Sequence, residues 1–166
     1  MVKLYKNFNI KNIHKNSIIL IGNFDGVHLG HQKLFKLANS YKKKYKLKIG
    51  VVNFDPMPKM FFNKSLKNFR ITSINQKVNL LSKLKVDFIV TKKFDKLFSK
   101  TKSINFIKEI LYKKLKSKFI FVSNNFRFGN KREGNVDLLI KNEDKYNFKV
   151  VKPEPLIKQQ KIISST

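Results

Sequence analysis

Residues 17 to 54 constrain the fold of this chain more than any other stretch. "SIILIGNF" (17–24) is a short, β-branched apolar run ending near a glycine, the pattern of a strand buried on both faces. "GHQKLFKLANSYKKKY" (30–45) then places Leu34, Phe35, Leu37, Ala38 and Tyr41 at helical spacing with lysines opposite. "KIGVVNF" (48–54) returns to a strand-like run. Strand, turn, helix and strand in so short a span predict a right-handed crossover and a parallel sheet.

The alternation continues downstream. "TSINQKVNLLSKLK" (72–85) opens on a Thr or Ser cap and carries Ile74, Val78, Leu81 and Leu84 at helical spacing, and "VDFIVTKKF" (86–94) follows as a strand. "SINFIKEILYKKLK" (103–116) is the next amphipathic helix and "KFIFVSNNF" (118–126) the next strand. A short helix within 135–146 leads to a last strand within 148–155. The expectation is one α/β domain over residues 1–166, with about five mainly parallel strands flanked by helices. No internal repeat or dividing linker interrupts it.

The formal charge of +27 raises the question of nucleic acid, since basic proteins gain affinity by releasing counterions from phosphates. The composition argues against it. Only Arg70, Arg127 and Arg132 are arginines among 37 basic residues, and the lysines are spread over every predicted helix and turn. Small anionic ligands remain suitable partners for such a surface, and no nucleic-acid partner is expected. With no cysteine, disulfides and thiolate metal sites are excluded. "MVKLYKNFNIKN" lacks the apolar core of a signal peptide, and no apolar run approaches the roughly 18 residues of a membrane span. A cytoplasmic chain without a membrane partner is expected.

Three loops follow predicted strands and should meet at the carboxyl edge of the sheet, where open parallel sheets bind ligands. The loop at 55–64 holds two of four prolines, and the loop at 124–135 two of three arginines. The first, "IGNFDGVHLGHQ" (21–32), holds two of the three histidines. Gly22, Gly26 and Gly30 allow a tight turn and a ligand's close approach to the backbone. The helix that begins near His28 and His31 offers free N–H groups and a positive dipole end, which together suit an anion. At i and i+3 the two histidines project to one side as N–H donors. The alternative is a pair of histidines that merely cap a helix. Zinc would need three or four ligands, and the only other histidine is His14, far upstream; the metal ligands are unknown. The stretch is neither G-x-G-x-x-G nor a Walker sequence, which counts against dinucleotide redox and P-loop chemistry.

"GNFDGVHLGHQ" resembles the nucleotide-binding motif, with its H-x-G-H element, of the FMN adenylyltransferase module in the bacterial FAD synthetase family. H-x-G-H alone is shared with the wider nucleotidyltransferase superfamily and with class I aminoacyl-tRNA synthetases. Further matches come in the family's order: "NFDPMP" resembles T-F-E-P-H-P, "VSNNFRFGNKREGN" resembles V-G-x-D-F-R-F-G-x-x-R-x-G-D, and "IISST" resembles the start of I-S-S-T-x-I-R. The resemblance covers essentially the whole chain. It implies a Rossmann-like nucleotidyltransferase fold and transfer of AMP from ATP to FMN, with Mg²⁺, giving FAD and pyrophosphate.

The same resemblance implies roles. His28 and His31 would contact the ATP phosphates and stabilise charge at the α-phosphorus and leaving pyrophosphate. Gly22, Asn23, Phe24, Asp25, Gly26 and Gly30 would form the cradle, with Asp25 either assisting there or capping a turn. Arg127 would bind ATP, Arg132 is a further candidate for phosphate, and Ser164, Ser165 and Thr166 would supply hydroxyls. Phe54, Pro56, Pro58, Phe62, Asn125 and Phe128 would shape the FMN site, with Phe126 beside them; flat aromatic rings suit an isoalloxazine, while core packing is the alternative for Phe54 and Phe126. The chain departs from the family pattern at Asp55 for glutamate, Met57 for histidine, Ser123 for glycine and Asn125 for aspartate. It stops at Thr166, before the motif's arginine, and lacks the riboflavin kinase domain that normally follows, so a truncated chain that does not phosphorylate riboflavin is expected. Competing readings are another H-x-G-H nucleotidyltransferase, acting on pantetheine phosphate, nicotinate mononucleotide or a polyol phosphate, a non-catalytic nucleotide or flavin module, or a basic RNA-binding protein.

Overall fold

The computed structural model describes residues 1–66 and 72–152, and the backbone of Leu156–Lys158 and Lys161–Ile163. Six strands, β1 (Lys3–Tyr5), β2 (Ile18–Ile21), β3 (Ile49–Asp55), β4 (Phe88–Lys93), β5 (Phe119–Phe121) and β8 (Lys149–Val151), form one sheet in the order β1-β4-β3-β2-β5-β8. Every neighbouring pair is parallel. The fold is therefore the expected layered α/β type with helices over a parallel sheet.

The centre of the sheet follows from its side chains. Ile18, Ile19 and Leu20 have no exposed surface and Ile21 only 4%. Because side chains alternate across a strand, Ile18 and Leu20 join the cluster on one face and Ile19 and Ile21 the cluster on the other. Over the first face lie α1 (Leu29–Tyr45), through Leu34, Phe35 and Ala38, and α3 (Ile74–Lys83), through Leu81. Over the second lies α5 (Ser103–Asn105) and the π-helical stretch that continues it (Phe106–Lys114), burying Phe106, Ile107, Ile110 and Leu111.

The structure refines several expectations. The sheet has six strands rather than about five, because β1 pairs in parallel with the edge of β4. With three residues, two of them exposed, β1 has almost no hydrophobic pattern of its own. The strand expected over 118–126 is confined to Phe119–Phe121, and the one within 148–155 to Lys149–Val151. The helix within 135–146 divides into α6 (Val136–Lys141) and α7 (Glu143–Tyr146). The 55–64 loop contains α2 (Pro58–Phe62), and α4 (Lys96–Ser99) follows β4. The 124–135 loop forms a hairpin of β6 (Arg127–Phe128) and β7 (Gly134–Asn135), and β9 (Leu156–Lys158) pairs antiparallel with β10 (Lys161–Ile163). These small elements are held by local turns and tertiary contacts that periodicity does not register.

Strand order reverses direction at β2: β3 and β4 lie on one side, β5 and β8 on the other. The three loops singled out in the sequence leave the carboxyl ends of β2, β3 and β5, so they share the edge where such sheets bind ligands.

Candidate active site

The loop after β2 turns sharply before α1 begins. Phe24, Gly26 and Val27 all have left-handed φ values, at 50°, 73° and 43°. For Phe24 and Val27 that conformation carries a steric cost, offset by burying both side chains, which are 2% and 7% exposed. The Phe24 ring folds back over Gly22, where an added Cβ would lie 3.2 Å from it. It also meets the edges of His31, at 5.0 Å between centroids, and of Phe35, at 5.2 Å.

His28 is the N-cap of α1: its Nδ1 accepts the Gly30 N–H at 3.1 Å. That bond places the neutral ring's proton on Nε2. The His31 ring, 4% exposed, stacks on His28 with 3.7 Å between centroids and 21° between planes. His28 Nε2 and both nitrogens of His31 are buried without a hydrogen-bond partner. Buried polar atoms are nearly always paired, so three open ring nitrogens beside a helix N-terminus mark a place for a ligand or water. The capping alternative holds for half of the pair, since His28 caps through Nδ1 and His31 does not.

The electrostatics agree with a neutral pair. Burial lowers the pKa of His28. His31 is pushed down to about 3, first by burial and then by the charges of His28 and Lys77, against an opposing pull from Asp25. At pH 7 both rings are N–H donors and acceptors without net charge.

Asp25 connects two loops. Its Oδ1 accepts from the Thr72 N–H at 2.9 Å and the Thr72 hydroxyl at 2.7 Å. Thr72 precedes Ser73, whose hydroxyl accepts the Gln76 N–H while Gln76 accepts the Ser73 N–H, a capping box that fixes the start of α3. Between α3 and the carboxyl ends of β3 and β4 lies a recess lined by Asn53, Asp55, Met57, Thr72, Lys77 and Thr91, among others. Asn53 is 3% exposed and its Oδ1 has no partner.

The remaining sequence candidates are distributed around this core. Phe54 is half-buried, 5.5 Å from Phe98 and 5.9 Å from Phe94. Pro56 lies between β3 and α2, and Pro58 opens α2, where its missing N–H costs no helical bond. Phe62 is 67% exposed with its edge toward Phe94. Met57, in place of the family's histidine, is 4% exposed, consistent with an apolar side chain in the recess wall. Beyond β5, Asn125 is exposed and accepts from the Ser123 hydroxyl at 2.9 Å, and Arg127 and Arg132 are exposed. Phe126 stacks on Phe128 at 5.4 Å. Phe128, 8% exposed and against Phe106, is a core residue of the second face. Ser164, Ser165 and Thr166 lie outside the described residues. His14 is remote from the pair, its ring tilted 30° against Phe88 at 4.6 Å and bonded through Nδ1 to the Tyr5 hydroxyl at 2.7 Å.

Sequence reasoning missed Asn53, Thr72 and Lys77. A polar residue closing the otherwise apolar "IGVVNF" was a readable signal for Asn53; the other two depend on where α3 docks.

A parallel sheet of this order, with a histidine pair at the start of the helix after its central strand, defines a Rossmann-like nucleotidyltransferase fold. Two solved structures share it. A macrolide-efflux protein from Streptococcus pneumoniae has a TM-score of 0.80 at 24% identity, covering 99% of this chain and 53% of that one. A pantoate-β-alanine ligase from Francisella tularensis, complexed with β-γ ATP and β-alanine, has a TM-score of 0.63 at 14% identity, covering 99% and 72%. The chain belongs to the FAD synthetase family, whose model matches residues 10–166. It is 47% identical over 158 residues to a bifunctional riboflavin kinase/FMN adenylyltransferase of Buchnera aphidicola subsp. Acyrthosiphon pisum, covering 95% of this chain and 50% of that protein. The enzyme of the same description from Escherichia coli K12 is 35% identical over 149 residues, covering 90% and 48%. The chain spans about half the length of these curated relatives.

Proposed function

We propose that this chain is a single FMN adenylyltransferase domain over residues 1–166, corresponding to that half of its bifunctional relatives, and that it works in the cytoplasm. A phosphate oxygen of FMN attacks the α-phosphorus of ATP, the bond from that phosphorus to the bridging oxygen breaks, and FAD and pyrophosphate leave. Such a transfer needs positioning and charge stabilisation more than covalent help from the protein. The observation that carries the reading is the stacked His28–His31 pair, with three unpartnered buried ring nitrogens at the N-terminus of α1. Their N–H groups donate to the phosphate oxygens of ATP where charge develops. Gly22, Asn23, Phe24, Asp25, Gly26 and Gly30 form the backbone cradle around them.

FMN is assigned to the carboxyl ends of β3 and β5 and the loops that follow them, against Phe54, Pro56, Pro58, Phe62 and Asn125, with Arg127 toward phosphate. The packing of Phe128 against Phe106 favours a supporting role beneath that loop. No group of three or more metal-binding side chains occurs among the described residues. Mg²⁺ is assigned to arrive on ATP as part of the substrate, with carboxylates such as Asp25 and Asp55 at the edge of the site. Among the described residues no helix is long and apolar enough to cross a membrane.

Incubation with ATP, Mg²⁺ and FMN should yield FAD and pyrophosphate, resolved by chromatography. No FAD from this chain, nor from one extended through the arginine of the I-S-S-T-x-I-R motif, would overturn the proposal. FAD formed by a chain with both histidines replaced at an unchanged rate would remove the roles assigned to them.

A further inference from the structure

Adenylyl transfer gathers negative charge on phosphate oxygens, whereas the two histidines offer neutral N–H groups. Arg127 and Arg132 are exposed beyond β5. Lys77 is better placed. It lies one turn into α3, its N–H donating to the Ser73 carbonyl at 2.9 Å. The capping box fixes that turn, and the two bonds from Thr72 to Asp25 fasten it to the loop after β2. Half-buried, Lys77 lines the recess beside Asn53, Asp55 and Thr72, where the buried Asn53 Oδ1 is unpartnered. Its charge reaches the His31 ring, where it opposes protonation.

We propose that Lys77 is a phosphate-binding residue of this site, its ammonium supplying a full positive charge beside the N–H donors of His28 and His31. This rests on the adenylyl-transfer reading. A lysine reaches phosphate as a point charge on a flexible stem, and the tether between Asp25 and Thr72 sets where that stem begins. On this view the tether is a positioning device, carrying a cation from α3 to the helix N-terminus of α1. The competing role is purely structural, with Lys77 balancing a carboxylate such as Asp55 within the recess.

The test compares the wild-type chain with Lys77→Gln and Lys77→Arg, following FAD formation and, by calorimetry without FMN, the binding of inorganic pyrophosphate. Loss of a charged hydrogen bond of about 1.5–3 kcal/mol corresponds to a tenfold to hundredfold weakening at about 1.4 kcal/mol per decade. Lys77→Gln should weaken pyrophosphate binding and lower kcat/KM for ATP by that factor, Lys77→Arg should restore most of both, and melting temperatures should stay together. Where Lys77→Gln does not fold, Lys77→Met retains the aliphatic stem and takes its place. Pyrophosphate binding and kcat/KM unchanged in a folded neutral variant overturn the proposal. So does a loss that follows the melting temperature and is not rescued by arginine. Lys77-dependent pyrophosphate binding, with no FAD made by this chain or by one extended through the arginine of the I-S-S-T-x-I-R motif, would instead remove the adenylyl-transfer reading and leave the phosphate site standing.

Discussion

Replacing His31 by leucine should change how the protein's stability depends on pH. The His31 pKa falls from 6.5 to about 3 on folding, chiefly through burial. As pH drops below 6.5 the unfolded chain takes up a proton that the folded ring refuses, so stability is fully present above that pH and is lost progressively toward pH 3. At 1.36 kcal/mol per pH unit, His31 costs about 2 kcal/mol between pH 6.5 and 5. For a chain of this size that is a melting-temperature difference of roughly 4–8 °C. His14 and His28 also have lowered pKa values and push in the same direction, so the quantity to read is the wild type minus His31→Leu. Calorimetry at pH 7 and pH 5 should show the wild type losing about 2 kcal/mol more than the variant across that interval. Equal losses would mean that His31 accepts a proton in the folded state, and the neutral donor pair would have to be abandoned.

Replacing both His28 and His31 by alanine should lower FAD formation by about 10²-fold or more, the scale of removing preorganised donors from developing charge, with a native circular-dichroism spectrum at pH 7; equal rates refute their role. Gly50→Ala tests the sheet packing. A Cβ at Gly50 would lie 2.1 Å from the Phe88 ring, so overpacking should cost about 1–3 kcal/mol in urea unfolding, and Phe88→Leu should recover part of it. An unchanged midpoint for Gly50→Ala would contradict the close contact.

The position of the histidine pair in the fold is legible from a short span of sequence. The βαβ pattern of residues 17–54 placed His28 and His31 after a buried strand and at the start of a helix, and this is where the structure puts them. Such features are local: two residues on one helical turn, a glycine in a left-handed turn and an apolar strand declare themselves within a few positions. Asp25 shows where local reading stops. The sequence allowed either a turn cap or a part in the cradle, and two of its bonds run to Thr72, 47 positions away. Phe128 is similar: an aromatic in a loop beside glycine resembles a ligand contact, while burial against Phe106 is visible only once the π-helical stretch is docked.

The sequence by itself therefore determined the class of fold, the central strand and the histidine pair, because hydrophobic period and turn chemistry act over short spans. Tertiary structure alone decided the protonation of that pair, the joining of α3 to the loop after β2 and the presence of Lys77 and Asn53 in the recess beside it. Those properties depend on which groups are brought together and how much water remains between them. The Phe24 ring set edge-on to His31 and the His28 ring stacked on it exclude water from that imidazole, an arrangement that arises only when the whole carboxyl edge of the sheet is assembled.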